Sequence, residues 1–410
     1  MYDAIVVGAR CAGSPTAMLL ARKGYRVLLV DKATFPSDTI STHFVWPRGA
    51  ERLRRWGLLD RIIATGSPRI CLNMSLDLGP FALRGAVRDA NEGEGGLCPR
   101  RTVLDKILID AAAESGVEVR EGFAFDDLLY DGDRVVGIRG HAAAGHLIEE
   151  HASIVIGADG VNSRVAKAVR ASEHDTRPVL ACAYYSYFSG LEQADAQFYL
   201  RDHCAFGSGP TNDGLTMLVI NWQAKQFAEV RSDVEGQVRT ALAQAPEYAE
   251  RVRAAKREEP WYGTAGIPNY FRTPYGPGWA LVGDAGYCRD PMTAQGISDS
   301  FVDAERITDA IDAGLSGRRG LEEALAEHEA ERNERLRPMY EFTQLFASLE
   351  PPPPDIQRLF SAMYGNQEAT DQFMSMITGA LSVPEFMSEE NLGRIMAAAH
   401  GSPMLTPAGG

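Results

Sequence analysis

The chain has 410 residues, which is enough for about two or three domains with a large apolar core. Its apolar content of 45% and charged content of 23% are ordinary for a soluble globular protein. The net charge of −14 argues against nucleic acid as a partner and gives no reason to expect binding to an anionic membrane.

The cysteines and the apolar runs indicate the compartment. Six cysteines are scattered along the chain without a C-x-x-C pair, which is typical of reduced thiols and of neither a disulfide framework nor a zinc site. The sequence starts directly in a predicted strand without a basic leader, and no apolar run approaches membrane-spanning length. We therefore expect a cytoplasmic protein with no signal peptide and no membrane span.

Residues 3–32 predict a strand–helix–strand unit. A buried strand at residues 4–7 runs into the turn GARCAG at 8–13, and a helix follows until Gly24. A second strand ends on Asp31, about 20 residues beyond the turn, which is the layout of a dinucleotide site. The helix N-terminus would meet a pyrophosphate and Asp31 a ribose, and the acid favours FAD or NAD over NADP because it repels a 2′-phosphate.

The fingerprint of this unit is incomplete. Arg10 stands where G-x-G-x-x-G has its middle glycine, which normally lets phosphates approach the backbone. The competing interpretation is an ordinary first unit of a doubly wound sheet.

The next segment is predicted to supply a loop and a helix. Residues 37–43 are polar, and Pro47 is placed to begin a helix. Arg48 in the first turn is poorly placed for a cation unless it faces an anion, the alternative being a solvent-exposed arginine. A strand pair is expected at 70–78 and 81–87, a helix from about 98 to Gly116, and strands at 117–120, 124–130 and 135–140.

Two further strands are predicted to end in acid-bearing turns. The strand at 153–156 leads into GADGVNSR at 157–164, and the strand at 278–282 leads into Gly283-Asp284. Each turn can meet a phosphate or a ribose. Histidines at 141, 146 and 151 recur every five residues, a spacing that aligns on neither helix nor strand, so we interpret them as loop residues and expect no metal site.

The rest of the chain predicts a second sheet and a helical tail. Residues 178–265 are strand-like and aromatic, with helical segments at 223–227 and 234–255. Alternation over 181–188 indicates either a sheet with one face on a cavity or a plain half-buried sheet. A long helix follows residue 296, an amphipathic helix spans 320–349, and shorter helices run to about 399.

The ordered set of acid-bearing turns resembles the FAD-dependent monooxygenases of the para-hydroxybenzoate hydroxylase fold, with their halogenase and geranylgeranyl reductase relatives. The resemblance covers roughly residues 1–315 and is carried by Asp31 with its fingerprint, by GADGVNSR, and by VGDAGYCRDPMTAQGIS at 282–298. It implies an α/β fold. In that fold a Rossmann-like FAD-binding domain (1–66, 96–177 and 266–316) is interleaved with a mixed-sheet substrate domain (67–95 and 178–265), and a C-terminal helical region (317–410) follows.

The resemblance also implies a set of cofactor-binding residues. At the adenosine and phosphate end, Gly8, Ala12 and Gly13 would shape the pyrophosphate turn, Asp31 and Lys32 would lie at the ribose, Phe125 would lie at the adenine, and Arg48 and Arg101 would neutralise phosphates. Asp159 and Gly160 would serve both FAD and the visiting nicotinamide. At the flavin end, Gly283 and Asp284 would hold the ribitol, Pro291 would lie beside the flavin ring, and Gly296 and Ile297 would face flavin N1 and O2.

The implied reaction is a hydroxylation. NAD(P)H would reduce FAD, dioxygen would add at C4a, and the hydroperoxyflavin would oxidise an electron-rich, aromatic or polyketide-like small molecule. The family shares few catalytic side chains, so its base does not carry over. His43, on the loop expected near the flavin, is the candidate, and a structural or solvent-exposed histidine is the alternative.

Several departures leave the subfamily open. Besides Arg10, Ala294 replaces the first glycine of P-x-x-G-Q-G, and Tyr287 replaces a frequent histidine. A halogenase would carry W-x-W-x-I-P and a lysine near the substrate, and the five tryptophans form no W-x-W. A prenyl reductase would need a long apolar tunnel, and a flavin-bound scaffold without activity is a further alternative. The oligomeric state stays open between a monomer and a homodimer.

Overall fold

A computed structural model describes residues 1–69, 73–87, 95–142 and 145–398. The first three residues of the strand predicted at 70–78, the glycine-rich turn after residue 87 and the end of the last predicted helix at 399 lie outside the described residues.

Strands and helices are interleaved up to residue 168, with four consecutive strands between residues 118 and 157. The strands of the described residues are β1 (Tyr2–Val7), β2 (Val27–Asp31), β3 (Asn73–Asp77), β4 (Ala82–Ala86), β5 (Glu118–Glu121), β6 (Ala124–Asp131), β7 (Arg134–His141), β8 (Leu147–Gly157), β9 (Glu173–Arg177), β10 (Ala181–Ser189), β11 (Ala196–Arg201), β12 (Cys204–Pro210), β13 (Thr216–Gln223), β14 (Lys256–Arg257), β15 (Tyr262–Thr264), β16 (Asn269–Arg272), β17 (Tyr275–Gly276), β18 (Trp279–Leu281) and β19 (Tyr287–Cys288).

The α-helices of the described residues are α1 (Gly13–Arg22), α2 (Pro47–Arg55), α3 (Leu59–Ile63), α4 (Arg101–Glu114), α5 (Arg164–Ala168), α6 (Phe227–Ser232), α7 (Val234–Ala243), α8 (Pro246–Ala254), α9 (Gly296–Leu315), α10 (Leu321–Ala347), α11 (Pro354–Met363), α12 (Gln367–Ile377), α13 (Val383–Phe386) and α14 (Glu389–Ala397). Short 3-10 turns occupy Asn212–Gly214, Ala224–Gln226, Gly283–Ala285 and Pro291–Thr293.

The first sheet brings the acid-bearing turns together. Its strands run in the order β17-β18-β8-β1-β2-β5, and β1 is parallel to both β2 and β8. Val7 at the end of β1 pairs with Val30 and with Gly157, and Leu281 of β18 also pairs with Gly157. Because these parallel strands end at one edge, the turns that follow β1, β2, β8 and β18 meet there.

The second sheet is mixed. Its order is β14-β10-β13-β12-β11-β3-β4, antiparallel throughout except for the parallel pair β11–β3. Strand β10 is covered on both faces: Tyr184 packs in a cluster with α7 and α8, and Tyr187 packs in a cluster with α11 and α12. Of the two alternatives for residues 181–188, a strand facing a cavity does not describe β10. Strands β3, β11, β12 and β13 of the same sheet line an apolar cavity instead.

The C-terminal helices join the two sheets. Helix α9 lies along α1 and α2, α10 packs on α9, and α12 packs on β4. Arg332 of α10 is fully buried and donates to the carbonyl oxygens of Gly286 (3.2 Å) and Arg272 (2.9 Å). The predicted α/β fold with a mixed second sheet and a helical C-terminal region is confirmed, while the exact domain boundaries stay a prediction.

Two local predictions need correction. The helix expected at 234–255 is split into α7 and α8 because Pro246 cannot continue a helix and instead begins the next one. Strand β12 was not predicted, since its CAFGSGP sequence is rich in residues with low strand propensity. None of the helices in the described ranges combines the length and apolar character that crossing a membrane requires.

Candidate functional site

An open groove of about 750 Å³ follows the carboxyl edge of the first sheet. Most residues that the sequence assigned to the cofactor line it: Gly8, Ala12, Asp31, Lys32, Arg101, Phe125, Asp159, Gly160, Gly283, Asp284, Pro291, Gly296 and Ile297. Gly13, Arg48 and His43 are not among its lining residues. The three predicted acid-bearing turns therefore converge on one groove.

The turn after β1 has the backbone shape that a pyrophosphate requires. Gly8 has φ +106°, and a Cβ atom there would lie 2.4 Å from the carbonyl oxygen of Ala158. A Cβ at Gly13 would lie 1.8 Å from the carbonyl oxygen of Gly8. Both positions exclude any side chain, so the turn stays tight and the N-terminus of α1 can receive an anion.

Asp31 ties the end of β2 to this turn. One carboxylate oxygen accepts the backbone N–H of Ala9 at 2.7 Å, and the other accepts the N–H of Ala33 at 2.8 Å. Each oxygen keeps a second lone pair for a ribose hydroxyl, which fits the predicted role.

Arg10 belongs to an ion cluster beneath the groove. The fully buried carboxylate of Asp105 accepts from Arg10 at 2.6 Å, from Arg101 at 3.0 Å, and from the Cys11 thiol at 3.3 Å. Burial alone would lower the pKa of Arg101, but Asp105 outweighs it and raises that pKa. Two guanidinium groups share one carboxylate, so the cluster keeps a net positive charge for phosphates. Asp105 was not predicted as a site residue, although its i,i+4 spacing from Arg101 on a helix indicates an ion pair.

Arg48 contacts helix α9. Its guanidinium lies 2.5 Å from one oxygen of Asp299, and Arg289 lies 2.8 Å from the other. This pairing places Arg48 beside the first turn of α9. Its role as a phosphate ligand stays a prediction.

The second acid-bearing turn is held by its own aspartate. Asp159 accepts the Ser163 hydroxyl at 2.5 Å and the Arg164 backbone N–H at 2.6 Å. Gly160 follows with φ +76°. The Arg164 guanidinium lies 5.9 Å from the centre of the buried Phe125 ring, so these turns form one wall of the groove.

The third turn places Asp284 on the floor of the groove. Its side chain is exposed to the groove, yet the surrounding protein limits its hydration and raises its pKa to about 6, against the opposing effect of Arg101. The N–H of Gly283 donates to buried Asp303 at 2.9 Å, and the Tyr270 hydroxyl donates to the Asp284 carbonyl at 2.7 Å. These bonds fix the turn from below.

The segment after Asp290 closes the groove. A 3-10 turn at Pro291–Thr293 leads to Ala294, which has the left-handed values φ 52° and ψ 33°. This is the position where the family motif has glycine, and alanine adopts the same conformation at a cost of about 1 kcal/mol. Helix α9 then begins at Gly296, so its unpaired first N–H groups and positive dipole end lie at the groove.

A second, apolar cavity of about 80 Å³ adjoins the groove. Thr42, Pro291 and Ala294 line both spaces. The walls come from strands β3, β11, β12 and β13 and from helices α10 and α12, through mostly aromatic and aliphatic side chains: Phe44, Trp46, Met74, Leu76, Phe198, Leu200, Ala205, Phe206, Val219, Phe346, Phe373, Met374 and Ile377. The cavity was not predicted from the sequence, because its walls join segments about 300 residues apart that carry no motif.

His43 lies behind this junction, fully buried and in a left-handed conformation with φ 66°. A carbonyl oxygen can only accept, so the 2.7 Å contact with the Ser41 carbonyl places the proton on Nδ1. Nε2 then accepts the Tyr187 hydroxyl at 2.6 Å, and burial lowers the His43 pKa to about 3. The catalytic role of His43 stays a prediction. Among the described residues, no group of histidine, cysteine or acidic side chains is arranged to hold a metal ion.

Known proteins share both the sequence pattern and the fold. A digeranylgeranylglycerophospholipid reductase of Methanococcoides burtonii is 29% identical over 332 residues, covering 76% of this chain and 75% of that protein. The myxobacterial chondrochloren halogenase CndH superposes with a TM-score of 0.79 at 22% identity, covering 97% of each chain. PqsL of P. aeruginosa, solved with 2-aminobenzoylacetate, superposes with a TM-score of 0.73 at 21% identity, covering 85% of this chain and 96% of that one.

The family model described as FAD binding domain matches residues 1–343, which include every strand of both large sheets and most of α10. The chain therefore belongs to the FAD binding domain family, within the superfamily of FAD-dependent oxidoreductases.

Proposed function

We propose that this protein is an FAD-dependent monooxygenase that uses NAD(P)H and dioxygen to hydroxylate an electron-rich, largely apolar aromatic or polyketide-like small molecule. The observation that supports it best is the junction of the two spaces. The apolar cavity and the cofactor groove share Pro291 and Ala294 as wall residues, just before α9 begins at Gly296. A substrate in the cavity would therefore meet the flavin end of the groove.

The residues of the groove fit FAD. Gly8 and Gly13 keep the turn at the N-terminus of α1 tight enough to receive a pyrophosphate, the cluster of Arg10, Arg101 and Asp105 supplies positive charge, and Asp31 and Asp284 would accept hydrogen bonds from sugar hydroxyls. When bound, FAD would supply hydride acceptance and oxygen activation. The N-terminus of α9 would stabilise negative charge at the flavin ring.

The apolar cavity would bind the substrate and exclude water from the reacting atoms. Phe44 and Trp46 are stacked with ring centres 4.9 Å apart, and the Trp46 indole N–H donates to the Thr293 carbonyl at 3.1 Å. That bond fixes the loop between the cavity and the groove. A rigid, dry wall favours oxygen transfer over its loss to water.

Reduction of an isoprenoid double bond is the second candidate. Two observations favour it: the apolar cavity suits a hydrocarbon chain, and the relative from Methanococcoides burtonii is a digeranylgeranylglycerophospholipid reductase. Halogenation has less support, because the chain has no W-x-W motif.

Product analysis separates these functions. FAD-loaded protein is incubated with NADPH or NADH, ¹⁸O₂ and a panel of phenols, naphthols and hydroxyanthraquinones, and in parallel with a geranylgeranyl lipid under argon. Labelled oxygen in a phenolic product supports hydroxylation. Loss of a lipid double bond without oxygen demand supports reduction and contradicts the proposal. Stopped-flow bleaching of the flavin shows which reduced nicotinamide donates the hydride.

A further inference from the structure

Asp290 is a buried carboxylate at the junction of the groove and the apolar cavity. It is 1% exposed, lines the groove, and directly precedes Pro291, which lines both spaces. Oδ1 accepts the backbone N–H of Met292 at 3.1 Å, whereas Oδ2 makes no hydrogen bond of 3.5 Å or less among the described residues, although the Ala181 backbone amide on β10 lies close enough to lower the carboxyl pKa. A buried polar atom without a partner is costly, so it points to a group that is bound there in the working protein.

The backbone of Asp290 is held firmly from two elements. Its N–H donates to the Asn269 side-chain oxygen at 2.7 Å, and Gln344 of α10 donates to the same oxygen at 2.9 Å. These two bonds keep the Asp290 backbone, and with it the carboxylate, in place beside Pro291.

The surroundings of Asp290 differ from those of the other buried aspartates near the groove. Asp299 is paired with Arg48 and Arg289, and Asp105 with Arg10 and Arg101. The charge of Asp290 is felt instead by the thiols of Cys182 on β10 and Cys288 on β19, whose pKa values are raised by burial so that both are neutral.

The lack of a paired cation sets the charge state of Asp290. Burial raises its pKa to about 7, against the opposing effect of the Met292 and Ala181 backbone amides. A carboxyl group that titrates near neutral pH can both accept and release a proton during turnover.

We propose that Asp290 is the proton-transferring residue of this site and that its Oδ2 accepts the proton of a substrate hydroxyl that reaches the groove beside Pro291. The inference rests on the proposed hydroxylation. In this step the substrate O–H bond breaks, a new O–H bond forms on Oδ2, and the electron pair stays on the substrate oxygen, which becomes electron-rich enough to activate its ring. Nothing is oxidised or reduced. The proton later leaves through the groove to water and restores the carboxylate.

Asp290→Asn tests the role in turnover. The amide oxygen can still accept from Met292, so the fold and FAD content should be retained, but the side chain no longer titrates. We expect flavin reduction by NADPH within about twofold of wild type, and hydroxylation of the accepted phenol slower by about 100-fold or more. The wild-type rate of oxygen transfer should rise with pH through about 7 and that inflection should be absent in the variant. Unchanged oxygen transfer would overturn the proposal.

A spectral titration tests it without turnover. The absorbance of bound FAD is recorded between about pH 5.5 and about pH 9 in the substrate-free holoprotein. Wild type should show an inflection near 7, Asp290→Asn should lack it, and the control Asp77→Asn, a second-sheet aspartate paired with Arg201, should keep it. Absence of the inflection in wild type, or its persistence in Asp290→Asn, would overturn the proposal.

Two outcomes separate this inference from the proposed function. If Asp290→Asn loses FAD, the spectral titration is repeated with Asp290→Ser. The serine hydroxyl can still accept the backbone N–H of Met292, but it does not titrate in this pH range. If no phenol of the panel gains oxygen while the inflection is present in wild type and absent in the variant, the hydroxylase assignment fails and Asp290 still stands as the titrating group at the flavin.

Discussion

Arg10 and Asp105 form an ion pair of 2.6 Å between positions 95 residues apart. Arg10 occupies the fingerprint position where a glycine normally stands, and Asp105 is a fully buried residue of α4. The pair draws the arginine side chain down toward the helix, where it also stacks on Phe35 at 5.2 Å. The missing glycine is thus compensated by a carboxylate that keeps a bulky cation in a fixed place at the phosphate turn.

Asp105→Asn should strongly destabilise the protein. It leaves the guanidinium groups of Arg10 and Arg101 without their shared counter-ion, and loss of one partner from a buried ion cluster costs about 3–5 kcal/mol. Asp110→Asn is a matched control on the same helix, because its pair with Lys106 is exposed and should contribute less than about 1 kcal/mol. Urea unfolding of both variants measures the difference, and equal midpoints would contradict the role of Asp105.

Gly8→Ala should abolish FAD binding. The new Cβ would lie 2.4 Å from the Ala158 carbonyl oxygen, so the phosphate turn must move away from the neighbouring turn. Gly24→Ala is the control: it has a similar φ of +95°, but nothing lies within 4 Å of its Cβ. The control should lose only about 1–2 kcal/mol of stability and keep its flavin. The ratio of FAD to protein after purification decides the outcome.

His43→Ala tests the predicted catalytic role of His43. If that prediction holds, the variant should slow oxygen transfer more than flavin reduction. Because burial lowers the His43 pKa to about 3, the pH dependence of the rate near 7 should remain in this variant. Stopped-flow traces of the two half-reactions measure both quantities. Equal changes in the two half-reactions would leave His43 with the structural role that its bonds to Ser41 and Tyr187 describe.

Ala205→Phe should block the apolar cavity. Ala205 lines the cavity and is 8% exposed, so a phenyl group would fill space proposed for the substrate. We expect KM for the accepted phenol to rise by about tenfold or more, FAD content to be unchanged, and stability to fall by about 1–3 kcal/mol from overpacking. Ala205→Gly enlarges the same space and should leave substrate binding nearly intact. An unchanged KM in Ala205→Phe would place the substrate elsewhere.

Asp290→Asn should stabilise the protein above neutral pH. The folded-state pKa of Asp290 is about 7, above the value near 3.8 in an unfolded chain, so the folded state binds the proton more tightly. Wild-type stability should therefore fall as pH rises from about 4 to about 7 and then level off. The variant lacks this loss of stability, which is about 4 kcal/mol at pH 8 and less than about 1 kcal/mol at pH 4. Thermal melting at the two pH values measures it.

The strand–helix–strand unit, the three acid-bearing turns and the order of the helices could be predicted because each depends on local sequence. The buried parts of β1 (residues 4–7) and β8 (residues 154–157) are short apolar runs, and residues such as Gly8 and Asp31 mark the adjoining turns at fixed spacing. The convergence of those turns on one groove also followed from the sequence, since parallel strands end at a common edge.

Tertiary structure alone decided the electrostatics and the second cavity. Asp105 forms an ion pair with Arg10 and Asp299 forms one with Arg48, whereas Asp290 pairs with no cation among the described residues. In sequence all three are ordinary aspartates on or next to a helix. The charge state of each depends on burial and on neighbours far away along the chain, which no local pattern encodes. The apolar cavity likewise exists only where the second sheet meets α10 and α12. Sequence therefore determined where the cofactor would lie, and packing determined its surroundings.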